Sequence, residues 1–172
     1  LDLAKDEEHF TFLAQARAKS VEHVLGDARL ELANLDDDQR YDLLVIDAFS
    51  SDAIPMHLIT LEAMKLYTDR LEKGGILAMH ISNRIFDLRP VIARLARELG
   101  LSMVIRGDRH LTKEQQADGH SPSLWVALAK EREPLERLAL SDRWSWVTSG
   151  TTRRVWTDDY SNILSVFVFF EH

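Results

Sequence analysis

The sequence predicts an α/β protein built on a mostly parallel sheet with an antiparallel edge pair. Three observations carry this expectation. Apolar, β-prone runs alternate with segments of helical periodicity along most of the chain. Tyr41-Asp42-Leu43-Leu44-Val45-Ile46 is nearly continuous in apolar character, which suits a strand buried on both faces of a parallel sheet. The last two clear runs, Leu101–Ile105 and Ser123–Leu128, are joined by a polar loop and not by a helix, which turns the second back along the first.

Taken in order, the chain opens on a helix-like segment from Leu3 to about Ala18. Val21–Leu25 reads as a short strand, and Gly26-Asp27-Ala28-Arg29 as the turn after it. A helix from Leu30 to about Leu35 runs into the acidic loop Asp36-Asp37-Asp38. Beyond the Tyr41–Ile46 strand, Thr60 is placed to cap a helix whose apolar stripe is Leu61, Met64, Leu66 and Leu71. Lys73-Gly74-Gly75 should end that helix and open the strand Ile76–Ile81. A helix from Leu88 to Leu99 carries Pro90 in its first turn, where the missing N–H costs nothing, and Gly100 closes it. Pro134–Leu140 reads as a short helix and Trp144-Ser145-Trp146 as a partly buried cluster. The tail Ile163–Phe170 is apolar and β-prone, and would invite strand pairing if exposed. Residues 1–172 read as a single domain.

Bulk properties narrow the function. The net charge of -7 argues against a phosphate-backbone partner, so no nucleic acid is expected and a cationic or neutral small substrate is better matched. No apolar run approaches the roughly 20 residues that span a bilayer, so this chain is not expected to insert in a membrane. Cysteine is absent, which fits a reducing, cytoplasmic compartment. With no thiolate and no metal-ligand spacing among the histidines, no metal is expected.

In open α/β sheets, ligands bind outside the carboxyl ends of the strands. Three strand ends bring polar groups to that rim: Gly26-Asp27-Ala28, Asp47 through Asp52, and His80 through Asn83. Asp27 has two available roles, accepting hydrogen bonds from an exocyclic amine or capping the following helix. Asp47, flanked by Ile46, Ala48 and Phe49, suits general-base work, and Asp52 suits an ammonium. The bland alternative makes Asp47 a turn cap and Asp52 a helix cap. Asp158-Asp159 can line a pocket or simply occupy a solvated turn.

These motifs resemble the spermidine synthase family. The resemblance rests on Gly26-Asp27-Ala28-Arg29, on Asp47-Ala48-Phe49-Ser50-Ser51-Asp52-Ala53-Ile54-Pro55, on the Gly74-Gly75 strand, and on His80-Ile81-Ser82-Asn83-Arg84. It extends to Trp156 through Asn162, and is closest to the spermidine-synthase-like domains often fused to transporter segments in bacteria. It implies a Rossmann-like, S-adenosylmethionine-dependent methyltransferase fold lacking the first one or two strands, with their glycine-rich loop. It implies aminopropyl transfer from decarboxylated S-adenosylmethionine to a polyamine, or, on the alternative reading, methyl transfer from S-adenosylmethionine. Asp27 would hold the adenine amino group, with Gly26, Ala28 and Ala48 beside the co-substrate. Asp47 would be the base, and Asp52, Asn83, Asp158 and Asp159 would face the amine. A third reading is a non-catalytic module that assembles as a homodimer through an exposed sheet edge; the homodimer is expected in any case.

Overall fold

Inside the sheet, one strand in from its edge, lies β2 (Leu71–His80). It pairs in parallel with β1 (Tyr41–Ile46) and antiparallel with β4 (Ser123–Ala129). Next to β4 runs β3 (Ser102–Asp108), antiparallel to it, and then the short β5 (Ser145–Trp146), giving the order β1-β2-β4-β3-β5. The computed structural model describes residues 11, 15–48, 54–83, 85–108, 111–148 and 154–167. Most of the expected first helix, the 49–53 loop with Asp52, Arg84 and the end of the apolar tail lie outside the described residues.

Because β2 and β3 are both antiparallel to β4, the strands β1, β2 and β3 share one direction. The expected antiparallel pair therefore exists, but β4 is inserted between β2 and β3 and does not lie at the rim. This is a mixed, open, Rossmann-like α/β sheet.

Strand alternation sorts side chains onto two faces. Leu77 and Met79 of β2, Met103 of β3, and Val126 and Leu128 of β4 share one face and are buried in the main core. That face is covered by α2 (Leu61–Asp69) through Met64 and Tyr67, and by α3 (Arg89–Glu98) through Ile92 and Leu95. Val104, Ala127 and Ala129 face the other way, against Leu135 of the short helix α5 (Glu133–Ala139). Trp144 and Trp146 are half-buried there, and the Arg132 guanidinium stacks 3.9 Å from the Trp146 ring centroid.

Helix boundaries follow their caps. Thr60 Oγ1 accepts the Ala63 amide and starts α2, as its position in the sequence indicates. In α3, Pro90 sits in the first turn, and Gly100 takes a φ of +65° just beyond the end. The first described helix, α1 (Ala28–Ala33), begins two residues before the expected start because the Asp27 side chain caps it. The polar loop after β3 holds one further turn of helix, α4 (Lys113–Ala117), closed by a reciprocal Thr112–Gln115 capping box.

Four expectations are corrected. Val21–Leu25 is not a strand; Val21, Val24 and Leu25 are exposed, and no described strand edge is offered to them. The Tyr41–Ile46 strand is not buried on both faces: Leu43 is 57% and Val45 47% exposed, because the helix on that side, over β2, β3 and β4, does not extend to β1. Lys73-Gly74-Gly75 does not separate helix from strand, since α2 ends at Asp69 and β2 already begins at Leu71. The glycines instead absorb an irregularity where the β1–β2 register shifts between Tyr41 and Leu43. Finally, Ile163–Val166 forms a 3-10 turn, with Phe167 bridging singly to Phe86, where a strand was expected.

Candidate functional site

Two groups of polar side chains gather at the rim where β1 and β2 end. The first is organised by α1. Asp27 Oδ1 accepts the amides of Arg29 (2.9 Å) and Leu30 (3.1 Å), and its Oδ2 lies 3.0 Å from His57 Nε2. The Leu30 amide holds the Asp27 carboxyl below the usual carboxylate range; partial desolvation opposes this, and the His57 charge and Arg29 amide assist. Arg29 reaches across the chain and donates from Nη1 and Nη2 to the two oxygens of Asp158, at 2.8 and 2.6 Å. Thr60 Oγ1 donates to Asp158 Oδ1 at 2.8 Å, and Arg29 Nη1 also donates to the His57 carbonyl. Arg29 is the main cause of a lowered Asp158 pKa, and Thr60 adds to it against partial desolvation.

The second group joins neighbouring strand ends. Asp47 follows β1, and its Oδ1 lies 2.8 Å from Nδ1 of His80, the last residue of β2. His80 Nε2 lies 2.6 Å from Ser82 Oγ, which accepts the Leu124 amide at 2.7 Å. The His80 ring stacks on Trp125, its partner in the β2–β4 register.

The other expected site residues are placed as follows. Ala48 is half-buried against the core beside Asp47. Gly26 is exposed and lies under the Glu31 side chain, and Ala28 is the first residue of α1. Asn83 Oδ1 accepts the amides of Ile85 and Phe86, shaping the turn after β2. Asn83 and His57 both line an apolar cleft of about 460 Å³ walled by Ile54, Met56, Phe86 and Trp156. Asp159 is exposed in the tight turn closed by Thr157 and Tyr160, next to the engaged Asp158. Asp52 lies outside the described residues.

Arg29 entered the sequence reading only as part of the Gly26–Arg29 motif, His57 only as a histidine without metal-ligand spacing, and His80 as such a histidine at the His80–Asn83 strand end. The contacts of Arg29 and His57 and the His80–Ser82 contact were not expected. The available signal for the last was spacing: His80 and Ser82 are two residues apart at a strand end, where alternate side chains share a face.

The residues at the α1 rim are compatible with an adenosyl sulfonium. Asp27 already accepts from three directions, but an ionised carboxylate offers about four lone-pair sites, leaving capacity for an amine N–H. An open groove lined by Asp27, Arg29, Leu30, His57 and Leu66 lies beside it. Among the described residues, no cluster of three or more histidine, aspartate or glutamate side chains could hold a metal ion. Among them, too, no helix is long and apolar enough to cross a membrane.

The fold and rim thus define a Rossmann-like α/β domain with one acid, Asp47, at the end of β1 and another, Asp27, capping α1. No family model matches the chain, and none of the curated proteins matches it. Among solved structures it is similar to MNMC2 from Aquifex aeolicus, at 21% identity and a TM-score of 0.42, over 79% of this chain and 43% of that one. It is also similar to a probable spermidine synthase from Corynebacterium glutamicum, at 14% identity and a TM-score of 0.49, over 84% of this chain and 53% of that one. The chain spans about half the length of these two proteins.

Proposed function

We propose that this chain carries the amine-facing part of an aminopropyltransferase-type site. The observation that carries the reading is Asp47: its side chain is 52% exposed at the carboxyl end of β1 and is hydrogen-bonded to His80 from the adjacent strand end. An accessible, oriented carboxylate at that rim is what deprotonation of a bound ammonium requires. Decarboxylated S-adenosylmethionine would supply an electrophilic carbon beside a sulfonium, with Asp27 next to its adenine. The apolar cleft beside Asn83 and His57 offers a wall for the methylene chain of a polyamine, Asp158 and Asp159 follow its Trp156 closely in sequence, and the ammonium-holding role of Asp52 rests on the family resemblance alone.

Calorimetric titration with decarboxylated S-adenosylmethionine, followed by turnover with diaminobutane or spermidine, tests the reading. Asp27→Ala should weaken binding of the sulfonium. Asp47→Asn should leave that binding unchanged and lower kcat by about 10²- to 10⁴-fold, the usual worth of a general base. Turnover of S-adenosylmethionine in place of its decarboxylated form would move the assignment to methyl transfer. No binding of either at millimolar concentration would reject both and favour a non-catalytic role.

That third role has an observation of its own. The β1 edge carries Leu43 and Val45 exposed on one face, a surface that a second copy of the chain would cover. A homodimer belongs to all three readings.

A further inference from the structure

The long connection between β3 and β4 holds a further polar cavity. A hairpin loop of about two to five residues can join neighbouring antiparallel strands, yet the chain leaves β3 at Asp108 and enters β4 only at Ser123. Between them, α4 is capped at both ends. Thr112 and Gln115 close its start. At its end Gly119 takes a φ of +81°, the Gly119 amide donates to the Gln116 carbonyl and the His120 amide to that of Gln115, which is a Schellman turn. That turn brings His120 and Ser121 to a cavity of about 350 Å³ that the strand ends also line.

The floor of this cavity comes from the sheet. Asp108 and Ser123 are register partners across β3 and β4, and Arg106, two residues back on β3, shares their face. Arg143 joins from the segment between α5 and β5. Asp108 is the one carboxylate among the described lining residues, and Arg106 already donates to it from Nη2 at 2.7 Å. The Arg106 Nε–H is buried with no hydrogen-bond partner. Among the described residues, the side chains of Arg143, His120, Ser121 and Ser123 have no partner either. Two guanidiniums thus face one concave surface with a single carboxylate to balance them, in a chain whose net charge is -7.

We propose that this cavity binds the phosphate group of a small phosphomonoester. A guanidinium matches phosphate oxygens with paired N–H donors, and hydroxyl and imidazole groups can take the remaining lone pairs. The donors come from three segments: the β3–β4 floor, the turn after α4 and the α5–β5 connection. A tetrahedral phosphate presents oxygens in several directions to such a set, whereas a planar carboxylate presents two in one plane. The volume is at the small end of ligand cavities, which suits a compact ester. None of these side chains belongs to the groups around Asp27 and Asp47, so the site stands independently of the aminopropyl-transfer reading. Arg106 is the register partner of Trp125, and Trp125 of His80, which puts the cavity two strands from the Asp47–His80 contact.

Calorimetric titration of the whole chain with inorganic phosphate and with ribose 5-phosphate, at constant ionic strength in chloride, tests the proposal. Both should saturate a single site, the ester more tightly because its body fills the rest of the cavity. Arg143 is exposed and its guanidinium is unpaired among the described residues, so Arg143→Gln should leave the thermal midpoint unchanged. The same variant should weaken both ligands about tenfold or more, the worth of one hydrogen bond to a charged group. Arg143→Lys, which keeps the charge and loses the fork, should fall between. In ¹H–¹⁵N spectra, phosphate should shift the amides of Ser121 and Ser123 and leave that of Arg29 in place. No saturable binding of either ligand at millimolar concentration would overturn the site. So would undiminished binding in Arg143→Gln, or shifts confined to the Arg29 rim. Tighter binding of succinate than of either phosphate would overturn the phosphate assignment, and rejection of the ester by a chain that holds inorganic phosphate would overturn the ester.

Discussion

Arg29 ties three remote pieces of chain together through one guanidinium, donating to Asp158, 129 residues away, and to the carbonyl of His57. A bidentate, charge-assisted pair of this kind is geometrically specific, and at its partial exposure it is worth about 1 kcal/mol. Asp158→Ala should lower the urea midpoint accordingly. The pH dependence follows from the depressed pKa values of Asp158 and Asp27. Their stabilisation is complete above the ordinary aspartate value of 3.8 and is lost as pH falls through their lower folded values. Urea titrations below pH 4 should therefore show an acid limb, flatter in Asp158→Asn. Tyr67 makes the opposite case: it is fully buried, and among the described residues its hydroxyl has no hydrogen-bond partner. Tyr67→Phe should be neutral or stabilise by up to about 1 kcal/mol, read from the thermal midpoint. At this scale the sequence showed Asp27, Asp47 and Asp158 as acids but hid what they touch. Local caps such as Asp27 onto Leu30 can be read from spacing; Arg29 onto Asp158 depends on the whole fold.

At the level of elements, propensity and capping located the start of α2 and both ends of α3, because Thr60, Pro90 and Gly100 mark them independently of tertiary contacts. The glycine pair misled because two different backbone needs look alike in sequence. Gly74 takes a φ of +79°, whereas Gly75 is constrained by space. A Cβ on Gly75 would lie 2.8 Å from the Tyr41 carbonyl oxygen and 3.0 Å from that of Glu72, both backbone atoms. Gly75→Ala should push β1 from β2 and cost about 1–3 kcal/mol, seen as a lower urea midpoint with an unchanged slope. Since Asp47 directly follows β1 and His80 ends β2, the same variant should disturb their contact.

Across the whole molecule the two faces of the sheet are unequally covered. The α2–α3 face is closed, whereas α5 packs on β2, β3 and β4 and leaves Leu43 and Val45 of β1 in solvent. Sedimentation velocity should find a homodimer that Leu43→Glu with Val45→Glu converts to monomer; a wild-type monomer at all concentrations would defeat this expectation. Alternating apolar runs and helices revealed the α/β class but not the insertion of β4 between β2 and β3. Both orders bury the same apolar side chains, so periodicity cannot choose between them.

That insertion has a consequence for how the chain acquires its site. The Tyr41–Ile46 and Leu71–His80 strands are close in sequence and can pair early, presenting Asp47 and His80 together. Ser82 is anchored only when Leu124 arrives, 42 residues later, its carbonyl taking the Ile81 amide and its own amide meeting the hydroxyl. Closing so long a loop is slow compared with forming local contacts. The rim is thus assembled in two stages, acid and imidazole first and hydroxyl last. Pulsed hydrogen exchange should find the Leu124 amide protected after those of β2.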